Sequence, residues 1–133
     1  MSTSSSSYKE RQLEGASLLD VIAESMFKMS FLMRHITIAI KQQKNEDIYL
    51  LSKKGLELLA VLEGMLQENE ITQESLKEFI GFCEAMSVCL QQVGLDESGE
   101  LADQLGETFR KIGTQFQDKQ EKLERDGKNE DPS

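Results

Sequence analysis

Residues 17–41 read SLLDVIAESMFKMSFLMRHITIAIK. Leu18, Ile22, Met26, Met29, Met33, Ile36 and Ile40 recur at spacings of three and four, the period of one helix face. Ser17 has the chemistry of an N-cap, and Asp20 stands three residues on in the capping-box position. The spacing therefore predicts a helix of about 25 residues, roughly 38 Å long. The polar run QQKNED at 42–47 should end it.

The same period recurs three times downstream. Asp47 is placed to cap a second helix with the stripe Ile48, Leu51, Gly55, Leu58, Leu62 and Met65. The linker QENEI at 67–71 leads to Thr72, a third cap, and to Leu76, Phe79, Ile80, Cys83, Met86, Leu90 and Val93. Gly94 falls where a C′ glycine would close that helix. Ser98 opens the fourth, carried by Leu101, Leu105, Ile112 and Phe116. No segment alternates with the period of a strand. Three short connections between long helices make sequential neighbours antiparallel, so the expected fold is all-α, an up-down-up-down four-helix bundle. Its 133 residues fit one domain with one hydrophobic core. The single Pro, Pro132, lies outside every helical pattern.

The ends differ from the body. Residues 1–7, MSTSSSS, are polar and low in complexity and are expected to be disordered. Residues 8–116 hold the bundle with a flexible N-terminal arm. Residues 117–133 form a charged tail, a helix extension followed by disorder, with Leu123 its one large apolar side chain.

The first helix has a second apolar side. At about 100° per residue, Phe27, Phe31 and Ile38 fall nearly opposite the core stripe. The second helix is also wide, with Leu50 and Val61 off its main stripe. A helix apolar on both sides is covered on both sides or presents one to a partner. The arm, a second copy or a ligand would each serve, and scattered surface apolars are the plainer reading.

Composition removes several function classes. The formal net charge is −9, with 15 Lys and Arg against 24 Asp and Glu. That balance, without a basic run, argues against nucleic-acid and anionic-membrane binding, which draw on cations. No stretch is long and apolar enough to span a membrane, and no signal-peptide pattern opens the chain, so a cytoplasmic setting is expected. Cys83 and Cys89, six apart on a helix, point in different directions and cannot easily bridge.

Groups for catalysis are few. His35 is the only histidine, which excludes a His-based metal cluster and the paired Glu-x-x-His motifs of di-iron bundles. The nine Gly form no phosphate loop. Glu57, Glu63, Glu97 and Glu100 are spaced for solvated faces and caps. Met26, Met29, Met33 and Met65 cluster on two helices, as core filler or as an adaptable groove. No cofactor, metal or catalytic residue is expected. A histidine phosphotransfer domain using His35 is the remaining catalytic reading, but bulky Ile36 and Ile38 stand where such sites keep room for a phosphoryl group.

The arm reads Tyr8-Lys-Glu-Arg-Gln12-Leu13-Glu-Gly-Ala16-Ser17, and further on come Ala39-Ile40, a polar turn and Asp47-Ile48. This pattern resembles the flagellin-specific export chaperones of bacterial flagellar secretion, the FliS family. The likeness is carried by motif in the N-terminal half and by helical pattern alone to about residue 116. Leu18 stands where the family commonly has Pro, and Glu24-Ser25-Met26 where it tends to carry Met-Leu-Tyr. The resemblance implies a four-helix bundle that binds the disordered C-terminal segment of flagellin, prevents premature polymerisation and presents the subunit to the export apparatus. It also implies that an arm bearing Tyr8, Gln12 and Leu13 packs over the client surface. The wheel adds Phe27, Phe31 and Ile38, and Ile48 and Leu51 at the start of the second helix complete the candidate surface. Among non-catalytic alternatives, a self-associating bundle that forms a homodimer through the second stripe stays open.

Overall fold

The computed structural model describes the backbone of residues 4–68 and 74–129 and the side chains of residues 18–68 and 77–126. Four helices follow in order: α1 (Ser4–Lys41), α2 (Asn45–Glu68), α3 (Glu74–Gln92) and α4 (Glu100–Asn129), with a 3-10 turn at Val93–Leu95 after α3. The described residues contain no strand. Neighbouring helices are antiparallel: Leu90 reaches Gly55 while Ile48 reaches Gly94 just past α3, Phe79 and Phe82 meet Phe116 and Phe109, and Met26 and Met33 reach Gly113 and Gly106. α4 closes the ring by running back along α1, and the two pack more closely than any other pair. The fold is the expected four-helix bundle.

The core is centred on α1. Ile22, Met26, Met29, Met33 and Ile36 are fully buried, as the i, i+3, i+4 stripe requires. Met26, Met29 and Met33 are thus core residues and line no groove. α2 contributes Leu59, Leu62 and Leu66, and α3 contributes Phe79, Cys83 and Leu90. Gly55 and Leu62 are buried as expected, while Leu59 and Leu66 take the core places expected of Leu58 and Met65, which are half-buried at its edge. Leu58 and Leu59, like Met65 and Leu66, are adjacent apolar pairs, and only the positions of α1 and α3 choose between them. On α4, Phe109 is the largest fully buried side chain, although the expected stripe omits it. Its ring stands edge-on to Phe82 at 6.1 Å, and Phe116 stands edge-on to Phe79 at 5.0 Å. These ring pairs hold α3 against α4.

Glycines set the opposite, tighter interface. A Cβ on Gly106 would lie 3.2 Å from Met33 Cβ, and one on Gly113 would lie 3.2 Å from Met26 Cβ. With Ala102 they give α4 a small-residue face that lets it approach α1. Thr37 adds a polar tie, its hydroxyl 3.0 Å from both the Met33 carbonyl and Asp103 Oδ1. The single proton serves one acceptor at a time.

The helix ends depart from the expected caps. α1 begins at Ser4, so Ser17 sits inside the helix and no break divides residues 8–16 from it. At its C-terminus the Lys44 N–H donates to the Ala39 carbonyl and the Gln43 N–H to the Ile40 carbonyl, a Schellman closure. Gln43 holds φ +57°, the left-handed conformation that glycine usually supplies there. Lys44, not Asp47, is the N-cap of α2, since its carbonyl accepts from the Ile48 N–H. Asp47 and Glu46 instead lie in the first turn, where negative charge meets the helix dipole favourably. Gly94 lies in the 3-10 turn and is not a left-handed C′ residue; a Cβ there would press on Ile48 Cγ2 at 3.3 Å. Before α4, Ser98 Oγ accepts from the Glu100 N–H, while Asp96 accepts from Ser98 Oγ at 2.7 Å and from the Leu101 N–H at 2.8 Å. Those hydrogen bonds hold the Asp96 carboxyl below the usual carboxylate range. Gly99, with φ +77°, makes the turn between them. Thr72, expected to cap α3, lies outside the described residues.

Candidate functional site

The second apolar side of α1 is present, and two of its members are open. Phe31 is 60% exposed and Ile38 45%. Phe27 is half-buried because its ring lies over Gly113, where the absence of a side chain leaves room. Between Phe31 and Ile38 stands His35, its ring edge-on to Phe31 with centroids 4.4 Å apart. Phe27, Phe31, His35 and Ile38 thus form one ridge along the outer face of α1, at successive spacings of four, four and three residues.

A groove flanks the ridge on each side. Toward α4 it has a volume of about 410 Å³, with Phe27 and Phe31 on one wall and Ala102 and Gly106 at the other. Arg34, Asp103, Glu107 and Arg110 rim it. Toward α2 a second groove of about 370 Å³ is lined by His35, Ile38, Leu50 and Leu51 and bounded by Gln42 and Asp47. The first exists because α4 carries the small residues Ala102 and Gly106 there.

The structure therefore gathers four of the expected site residues and separates one. Phe27 and Phe31 share the α4-side groove, and Ile38 and Leu51 share the α2-side groove. Ile48 is drawn away, because its side chain packs on Gly94 of the 3-10 turn. The side chains of Tyr8, Gln12 and Leu13 lie outside the described residues. Leu50 joins the surface at 51% exposure, and the width of the α2 apolar arc is the signal that marks it. Val61 is exposed too, at 68%, and lines neither groove.

Two ionisable groups away from the ridge, Glu63 and Cys83, lie between α2 and α3. Glu63 of α2 is half-buried and faces Glu84 of α3, so it is not the solvated residue its spacing implies. Desolvation first, then hydrogen bonding and repulsion from Glu84, push its carboxyl above the ordinary 4.5. Burial and then the same two carboxyls push the Cys83 thiol up to about 12, far from the thiolate a reactive cysteine needs. Cys83 and Cys89 are both free thiols. Among the described residues no group of three or more His, Cys, Asp or Glu side chains could hold a metal ion. No described helix is long and apolar enough to cross a membrane.

Comparison of the chain with protein-family models, with curated proteins and with solved structures finds no match.

Proposed function

We propose that this bundle is a stoichiometric binding protein, an export chaperone that buries an amphipathic segment of a client along the outer face of α1. The observation that carries this reading is the open apolar ridge of Phe31 and Ile38 with a groove on either side. A helix or extended segment laid along such a ridge meets the α4-side groove beside Phe27 and Phe31 and then the α2-side groove beside Ile38. The resemblance in the arm and around the first turn supplies the client, the C-terminal segment of flagellin, and a cytoplasmic setting before export. Export-apparatus components would be further partners. No step of this function turns over a substrate, and the net charge of −9 favours solubility of a carrier with exposed apolar surface.

The test is co-purification of flagellin with the full chain, against the Phe31→Asp/Ile38→Asp double variant. Both side chains are substantially exposed, so the fold should tolerate the change. Capture near equal stoichiometry is expected, lost on deletion of the flagellin C-terminal segment and weakened about thirtyfold or more in the double variant. Capture unaffected by the double variant overturns the ridge as the site. Recovery of the chain with itself alone makes the protein a self-associating bundle. Acid-labile phosphate on His35, lost in His35→Gln, makes it a phosphotransfer domain.

A further inference from the structure

His35 is the one histidine of the chain and stands at the centre of the ridge. Its exposed ring meets Phe31 edge-on, with centroids 4.4 Å apart, and lines the α2-side groove with Ile38, Leu50 and Leu51. Histidine is the side-chain type whose charge changes between about pH 5 and 8. A segment docked on the ridge covers this ring, so the imidazole exchanges water for apolar neighbours. A neutral imidazole makes that exchange at the lower cost, whereas an imidazolium loses its hydration unless a carboxylate replaces it.

The charged groups around His35 offer little replacement. α2 and α4 are the helices that flank this face. On α2, Asp47 is the one carboxylate among the described residues that shares a groove with His35. The one ion pair among the described residues is Arg110 with Glu107, so Asp47 does not pair with the imidazole. Asp47 also lies in the first turn of α2, where the helix dipole already favours its charge. Lys54, four residues after Leu50, adds a cation on the same side of α2. On α4, Asp103, Glu107 and Arg110 line the other groove together with Arg34 of α1, a groove that His35 does not line. Lys28 and Glu24 share the His35 side of α1 at about 10 and 16 Å along the axis, and their opposite charges offset each other.

Resting on the docking reading above, we infer that His35 makes docking on the α1 ridge pH-dependent: the ridge holds an apolar segment while the imidazole is neutral and releases it when the imidazole takes up a proton. A proton that binds the open ridge better than the covered one must, by linkage, weaken docking as the pH falls. Phe31 couples the two events, because a segment packed on its ring also covers the imidazole 4.4 Å away. Glu63, the carboxyl raised by burial, lies against α3 and borders neither groove, so its own titration leaves the ridge unchanged.

The experiment measures binding of a synthetic amphipathic peptide of roughly 18 residues, built of Leu and Gln with blocked ends, to the full chain by fluorescence anisotropy. The peptide carries no titratable group, so a pH dependence belongs to the protein. Binding should be about tenfold weaker at about pH 5.5 than at about pH 8, and that ratio should fall to about one in His35→Gln. One histidine gives one imidazole signal, so NMR at about pH 6 supplies a second readout: added peptide should move that signal toward its neutral-form position. Binding lost in Phe31→Asp but equal at both pH values overturns the His35 inference and leaves the docking reading standing. Binding unaffected by Phe31→Asp, or absent at both pH values, overturns the docking reading and the inference with it. Tighter binding at the lower pH, abolished in Asp47→Asn, would mean that Asp47 holds the imidazolium, and overturns the inference. A pH ratio that survives in His35→Gln places the titration elsewhere and does the same.

Discussion

Single residues in this bundle hold positions that their types do not favour, and each leaves a measurable mark. Gln43 closes α1 in the left-handed conformation, φ +57°, which costs a residue with a side chain about 1–2 kcal/mol. Gly removes that strain and returns part of the gain as unfolded-chain entropy. Gln43→Gly should therefore raise stability by about 0.5–1 kcal/mol in a denaturant titration. Glu63 is a second case. Its carboxyl is raised in the folded state by burial and by Glu84, above the ordinary 4.5. A raised carboxyl contributes stability that is present below the unfolded value and lost as pH rises through the folded one. Glu63→Gln should accordingly unfold at a higher temperature than the natural chain at neutral pH, and the advantage should vanish as the pH is taken below 4.5. A variant that is less stable at neutral pH would show that Glu63 is held by a favourable partner instead.

At the scale of elements, the contrast lies between two helix interfaces built in opposite ways. α4 meets α3 through paired aromatic rings and meets α1 through bare backbone. A methyl group at Gly106 would press on Met33 Cβ, an atom fixed to the α1 backbone that no rotamer change can move. Gly106→Ala should thus lose about 1–3 kcal/mol to overpacking, more than the helix propensity it gains. Gly81 faces open space on α3, and Gly81→Ala should gain about 0.5–1 kcal/mol. The two variants, compared by chemical denaturation, should move in opposite directions. Equal gains would mean that α1 and α4 can separate at little cost.

For the molecule as a whole, the arrangement keeps its stability and its open face on different atoms. The core draws on Met26, Met29, Met33 and Ile36, and the ridge draws on Phe31, His35 and Ile38 of the same helix. Phe31→Asp should leave the unfolding midpoint within about 0.5 kcal/mol of the natural chain while removing partner binding. Phe27→Asp should behave differently and destabilise the bundle, because that ring is half-buried over Gly113.

Helical periodicity in residues 17–41 and its three echoes determine the helix count, the antiparallel order and most of the core, because a 3.6-residue stripe leaves few ways to bury itself. The same wheel marks Phe31 and Ile38 as a second side, since that requires only the geometry of one helix. Other features depend on what lies opposite in space. Choosing Leu59 over Leu58 requires the positions of α1 and α3. Ile48 leaves the candidate surface because Gly94 offers it a place to pack. The pairing of Glu63 with Glu84 joins two helices at positions with no local signature. Caps such as Asp96 and Lys44 follow from backbone closure at the turns, which several neighbouring polar residues could have served equally well. Periodicity within a helix is written in its own residues, whereas the partner of each face is set by how the four helices pack.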